Sequence, residues 1–185
     1  MAGDGQVLFI QGGGAGAHDM WDDKLVRSLR RHLGSGCEVR YPRIPGEDDP
    51  SYAGWGAAIN TAVAGVDDGA VVVGHSVGGT LLIKTLTEHA PSRRLAAIVL
   101  IAAPFVGDGG WSSDEFALPR DLGARLPQSV PVHLFHGLDD TTAPPSHAHL
   151  YISAIPQAHL HSLPGRDHQL NNDLREVAEV IRRAQ

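Results

Sequence analysis

From end to end, the chain alternates short β-branched apolar runs with amphipathic helical stretches, and this alternation constrains the fold more than any single residue. Gln6–Ile10 reads as a first strand. Asp22–Leu33 reads as a helix with Leu25, Val26, Leu29 and Leu33 on one face. A weaker strand over Glu38–Tyr41 stops at Pro42. Ser51–Val66 reads as a helix N-capped by Ser51, just after Pro50. Strands follow at Ala70–Val73, Leu95–Ala102, Val132–Phe135 and His159–Leu163, interleaved with helices at Val77–His89, Ser146–Ile155 and Asn171–Arg183. Such alternation predicts an α/β fold, a mostly parallel sheet of about six strands with helices on both faces in a three-layer α/β/α sandwich. The third, fourth and fifth strands are continuous apolar runs, as expected of central strands buried on both faces.

One stretch breaks the alternation. Residues 104–129 hold three prolines, Gly107, Gly109, Gly110 and the aromatics Phe105, Trp111 and Phe116. It reads as a short rim excursion, with part of it a crossover helix near Asp121–Leu126, and it is too small for a separate lid. The expectation is a single domain over 1–185, a length that can bury roughly 70% of the unfolded surface. A net charge of −6 without a basic stripe or arm argues against nucleic acid and anionic membrane as partners. The longest apolar run, Leu95–Phe105, is too short to cross a bilayer. Cys37 is the only cysteine, which excludes a disulfide within the chain and a cysteine-based zinc site. The first residues, Met1-Ala-Gly-Asp-Gly, lack the basic start of a signal peptide. Together these features give the expectation of a cytoplasmic protein.

The chemistry concentrates at Gly74-His-Ser-Val-Gly78, a G-x-S-x-G motif. The motif alone recurs by chance, but here it follows the strand Ala70–Val73 directly and precedes a helix, the setting in which it presents a serine on a sharp turn. Glycines let strand and helix approach closely, and Gly79 extends that allowance. The helix N-terminus turns free N–H groups toward Ser76, where negative charge develops during acyl transfer.

With its Gly-His-Ser-Val-Gly-Gly elbow after a buried strand, the chain resembles the α/β-hydrolase superfamily. Its compact size resembles the lid-poor serine hydrolases typified by the retinoblastoma-binding serine hydrolase and its bacterial relatives. The resemblance spans residues 6–183. It implies the strand order 2-1-3-4-5-6, a minimal fold without a lid domain, and the chain order serine, acid, histidine. A serine hydroxyl needs a base, and the base needs an orienting acid. The family's G-x-x-D-x-x-V-P pattern, aligned on Gly137 and Pro144, puts the acid on Asp140, with Asp139 as the alternative and Ala143 replacing the usual Val. Asp108, after the fourth strand, is an acid position that some lipase-like members use. The base belongs in the loop after the last strand, where Pro164-Gly-Arg-Asp-His168 stands, and this makes His168 the candidate. Its neighbour Asp167 would point away and is given no catalytic role.

An oxyanion hole needs two N–H donors. The resemblance assigns them to Val77, just after the serine, and to Gly13 in the loop Gln11-Gly-Gly-Gly-Ala-Gly16, with Gly14 as the alternative. Gln11 stands where relatives commonly show His. The same loop lacks the P-loop lysine and gives only an imperfect Gly12-x-Gly14-x-x-Ala17 dinucleotide pattern. Of the eleven histidines, His147/His149 and His159/His161 form i, i+2 pairs. No acid or cysteine completes a metal site beside them, so they read as surface or satisfied histidines. His75 reads as structural and His18 as bordering the pocket. Trp21 and Trp55 read as packing, and Trp111 as a wall of the acyl pocket.

The function expected is a serine hydrolase, a carboxylesterase on small or short-chain acyl esters. It would work through Ser76, His168 and Asp140 with no metal or organic cofactor. The alternatives are a thioesterase or amidase with the same triad, or a non-catalytic protein-interaction module on the same fold. The partner expected is a small-molecule acyl substrate, and the protein itself is expected to be a monomer or weak homodimer.

Overall fold

A computed structural model describes residues 5–185; the first four residues of the leader reading lie outside them. Six strands form one wholly parallel sheet: β1 (Gly5–Ile10), β2 (Cys37–Arg40), β3 (Ala70–His75), β4 (Leu95–Ile101), β5 (Val132–Gly137) and β6 (Ala158–Leu163), in the order β2-β1-β3-β4-β5-β6. The six α-helices are α1 (Asp23–Leu33), α2 (Tyr52–Ala64), α3 (Val77–Glu88), α4 (Leu122–Arg125), α5 (Ser146–Ala154) and α6 (Arg175–Ala184).

The strand period of two splits each apolar run between the two faces. Leu8, Ile10, Val72, Leu100 and Leu134 face a core that also takes Trp55 and Ile59 of α2, Leu82 and Leu86 of α3 and Tyr151 of α5. Val7, Phe9, Val71, Val73, Val99 and Phe135 face a second core, closed by Leu25 and Leu29 of α1 and Val177 and Ile181 of α6. Each fully buried Val, Leu or Ile contributes about 1.5–3 kcal/mol. Buried on both faces, the central strands are the rigid platform from whose C-terminal ends the loops project.

Most element ends fall within one or two residues of the sequence reading, and two differences, both at that end of the sheet, bear on the site. α1 is preceded by a π-helical turn, Ala17–Asp22, which buries Ala17 and Asp22 and leaves Met20 and Trp21 exposed. α6 begins at Arg175 rather than Asn171. Leu170, Asn171 and Asn172 hold positive φ (48°, 56° and 55°), a conformation asparagine tolerates better than most residues and one that an α-helix cannot absorb. Ser51 does cap α2, its Oγ accepting the Gly54 N–H at 3.3 Å. In the rim excursion, α4 is a single four-residue turn at the expected place. No helix among the described residues is long and apolar enough to cross a membrane.

Candidate active site

β3 runs directly into α3 through Ser76, which sits at φ 53°, ψ −134°, a strained conformation for a residue with a side chain. Glycine on both sides makes the turn possible. A Cβ on Gly78 would stand 1.9 Å from the Gln11 carbonyl oxygen, and one on Gly74 would stand 2.6 Å from the Gly79 Cα. The serine therefore projects from the end of β3 with α3 pressed against the β1 loop.

His168 comes from the loop after β6, and its Nε2 lies 3.0 Å from Ser76 Oγ, as an acceptor for the hydroxyl. On the other side of the ring, Nδ1–H donates to Asp140 Oδ2 at 2.8 Å. Asp140 is buried after β5. Its Oδ1 accepts the N–H groups of Thr142 and Ala143, and His136 Nε2 stands 3.2 Å from Oδ2. Burial alone would raise the Asp140 pKa, but the hydrogen bonds from His136, His168 and the Ala143 amide hold it well below the usual carboxylate range. Its neighbour Asp139 is exposed, with its N–H on the Arg166 carbonyl. Asp108 pairs with Arg120 in solvent at 3.2 Å. The Asp167 side chain accepts the N–H groups of Gln169 and Asn171 and so shapes the turn after His168. The structure thus brings Ser76, His168 and Asp140 together, and leaves Asp139, Asp108 and Asp167 out of that chain of contacts.

Hydrogen bonding separates the three glycine amides of the β1 loop. Gly12 N–H donates to Asp22 Oδ2 at 2.7 Å and Gly14 N–H to the Glu47 carbonyl at 2.6 Å. Gly13 N–H has no partner among the described residues. A Cβ on Gly13 would meet Val77 Cγ1 at 2.8 Å, so this loop packs on the first residue of α3, whose own N–H has no intrahelical acceptor. Gln11, where relatives show His, is fully buried. Its Oε1 accepts the Ile44 N–H and its Nε2 donates to Glu47 Oε2, at 2.9 and 2.6 Å.

A pocket of about 150 Å³ opens over Ser76, lined by Gly12, Gly13, Ala17, Trp21, Thr142, His168 and Gln169 among others. Trp111 is not part of that lining. It sits edge-on to His147, 5.4 Å away between ring centres, because residues 105–111 fold back on themselves. His18 is also outside it, stacked on Tyr41. Trp55 is buried in the core. A larger cleft of about 380 Å³ lies at the opposite end of the sheet and is lined by arginines and serines but no histidine or carboxylate. His133, His159 and His161 gather on one face of β5 and β6, with His133 Nδ1 3.1 Å from His161 Nε2. Among the described residues no group of three histidine, cysteine or acidic side chains is placed to hold a metal ion.

Sequence reasoning missed three residues of this neighbourhood. Asp22 and Glu47 fasten the glycine loop, and His136 shares Asp140. Asp22 and Glu47 come from segments whose sequence carries no motif. His136 was visible only as one more histidine at the end of a strand.

The profile of the alpha/beta hydrolase family matches residues 7–181, nearly all of the chain. The chain belongs to the α/β-hydrolase family. The ydeN gene product of B. subtilis is similar in structure, with a TM-score of 0.76 at 19% identity, covering 97% of this chain and 98% of that one. An esterase domain from a Rhodothermus marinus protein gives a TM-score of 0.66 at 20% identity over 96% of this chain and 84% of its own. Est1E from Butyrivibrio proteoclasticus gives 0.69 at 15% identity, covering 98% and 87%. At such identities the likeness is one of fold. No match was found among curated proteins.

Proposed function

We propose that this α/β-hydrolase is a serine hydrolase, a carboxylesterase acting on small or short-chain acyl esters. The observation that carries the reading is the unbroken contact chain Ser76 Oγ, His168 Nε2, His168 Nδ1, Asp140 Oδ2, with spacings of 3.0 and 2.8 Å. Ser76 attacks the ester carbonyl carbon while His168 Nε2 takes the hydroxyl proton. Asp140 holds the ring and stabilises its charged form. The oxygen of the tetrahedral intermediate is bound by the N–H groups of Gly13 and Val77. His168 returns the proton to the departing alcohol, leaving an acyl-Ser76. Water then enters, gives a proton to His168 and its hydroxyl to the acyl carbon, and Ser76 is restored with release of the acid. The esterase domain among the structural relatives supports the same direction.

Pocket size supports a short acyl group. Each extra methylene gains about 0.8 kcal/mol only if it is buried, and about 150 Å³ beside Ser76 leaves little room for a long chain. Hydrolysis of p-nitrophenyl acetate by wild type and Ser76→Ala tests the reading. Wild type should turn the ester over and the folded variant should not; full activity in the variant would remove the mechanism. Running the matching thioester and amide in the same assay decides between esterase, thioesterase and amidase. A folded wild type inert toward all three would favour an interaction module.

A further inference from the structure

A second aspartate–histidine pair lies behind the first. His75, the residue before Ser76, is buried, and so is Asp22 at the end of the π-helical turn. His75 Nδ1 is 2.9 Å from Asp22 Oδ1 and 3.0 Å from Oδ2, and His75 Nε2 is 3.1 Å from the backbone carbonyl of His168. A carboxylate and a carbonyl only accept hydrogen bonds, so both ring nitrogens must donate, and the ring is an imidazolium. Burial works against that charge, but the Asp22 carboxylate outweighs it and raises the His75 pKa. Burial likewise opposes charge on Asp22, but His75 holds its pKa below the ordinary value. Asp140, from the loop after β5, adds a smaller attraction on the same ring.

The pair touches three loops at once. Asp22 Oδ2 also accepts the Gly12 N–H at 2.7 Å, and a Cβ on Gly12 would stand 3.3 Å from both His75 Nδ1 and Ser76 Cβ. Its Oδ1 is 3.5 Å from Gln169 Nε2, the residue after His168. The loop that carries His168 is closed by its own bonds, with Asp167 Oδ1 accepting the Gln169 and Asn171 N–H groups and Arg166 donating to the Leu170 and Asp173 carbonyls. The His75 contact is what ties the His168 carbonyl to the elbow that carries Ser76.

We infer that His75 and Asp22 are a positioning pair for the hydrolytic site. His75 tethers the main chain of His168 through its carbonyl, and Asp22 tethers the main chain of Gly12 and thereby sets the Gly13 amide. The inference rests on the reading of Ser76, His168 and Asp140 given above. Neither residue touches the substrate; they hold the base and one oxyanion donor in register across the loops after β1, β3 and β6.

Two substitutions divide the ring's two bonds. In His75→Gln the side-chain amide reaches as far as Nε2 and can keep the His168 tether while losing Asp22. In His75→Asn the amide reaches only as far as Nδ1, keeping Asp22 and losing the tether. Leaving a buried carboxylate without its partner costs more stability than losing one hydrogen bond to a carbonyl. The tether therefore predicts opposite orders. His75→Asn should be the more heat-stable variant yet have the lower kcat on p-nitrophenyl acetate, by about 10–100-fold, the worth of a charge-assisted hydrogen bond. KM should change little. A merely structural His75 would give activity that follows stability, with His75→Asn the more active, and that result overturns the inference.

A measurement on wild type stands even if one variant fails to fold. In ¹⁵N-histidine spectra, the ring absent from His75→Gln or His75→Asn should show both nitrogens protonated at pH 7, where an ordinary imidazole is mostly neutral. A lone pair on either nitrogen at pH 7 would overturn the charge-locked tether. Ser76→Ala is measured alongside. Activity surviving in it sinks the hydrolytic reading and the tether's purpose together. Inactive Ser76→Ala with the order of the His75 variants reversed sinks the tether alone.

Discussion

The two aspartate–histidine pairs share their components and differ in what the second ring nitrogen meets. His168 Nε2 meets the Ser76 hydroxyl, which can donate, so that nitrogen can hold a lone pair. His75 Nε2 meets a carbonyl, which cannot, so that nitrogen keeps its hydrogen. One ring thereby faces a carboxylate and a hydroxyl, and the other faces a carboxylate and a carbonyl. Burial follows the same division: His75 is sealed while His168 lines the pocket. A buried Asp–His contact does not by itself mark a base; the atom on the far side of the ring does.

Breaking the acid contact of the open pair should have the largest effect. Asp140→Asn should lower kcat on p-nitrophenyl acetate by about 10⁴, the scale seen when the acid of a serine protease triad is amidated. Asp139→Asn, altering an exposed carboxylate, should leave kcat near wild type. The reverse ranking would move the orienting role to Asp139.

A histidine cluster with no acid sharpens the comparison through pH. His133 is pushed down to about 4, first by burial and then by its neighbours His161 and His159. Its unfolded-state pKa is near 6.5, so between those values the unfolded chain binds more protons and stability falls as pH drops. Asp140 and Asp22, whose pKa values are lowered, lose their contribution only as pH falls below about 4, the ordinary aspartate value. His147 and His161 are also lowered and add to His133, while the raised His75 acts with the opposite sign. With three lowered histidines against one raised, thermal melts should show Tm falling from pH 7 to pH 5, with a shallower fall in His133→Leu. An unchanged slope in that variant would assign the effect to other groups.

The smallest effect concerns the pocket wall. Across p-nitrophenyl esters, kcat/KM should peak between acetyl and butyryl and decline by octanoyl. Trp21→Ala should raise KM for the butyryl ester a few-fold with kcat nearly unchanged. A steady rise through C8 to C12 would mean that residues 104–129 cover a long acyl chain after all.

The fold was legible because its signals are local and redundant. Val71, Val72 and Val73 announce a strand buried on both faces, and Gly74 to Gly79 announce the turn that follows. Asp140 was legible through a motif and His168 through its place after the last strand. Asp22 was not: it reads as the first residue of a helix, and its role depends on the π-helical turn Ala17–Asp22 that rotates it inward, for which the sequence carries no signal. Trp21 and Trp111 exchanged expectations for the same reason: which aromatic reaches the pocket is set by loop paths, and loop paths carry no periodicity. Glu47 braces the glycine loop from a segment with neither strand nor helix pattern.

Covalent labelling tests the central claim most directly. Wild-type protein incubated with a fluorophosphonate and weighed intact should gain one adduct, and peptide mapping should locate it on Ser76. Ser76→Ala should gain none, and Asp140→Asn should react far more slowly. An adduct on another residue, or none on folded wild type, would contradict the account.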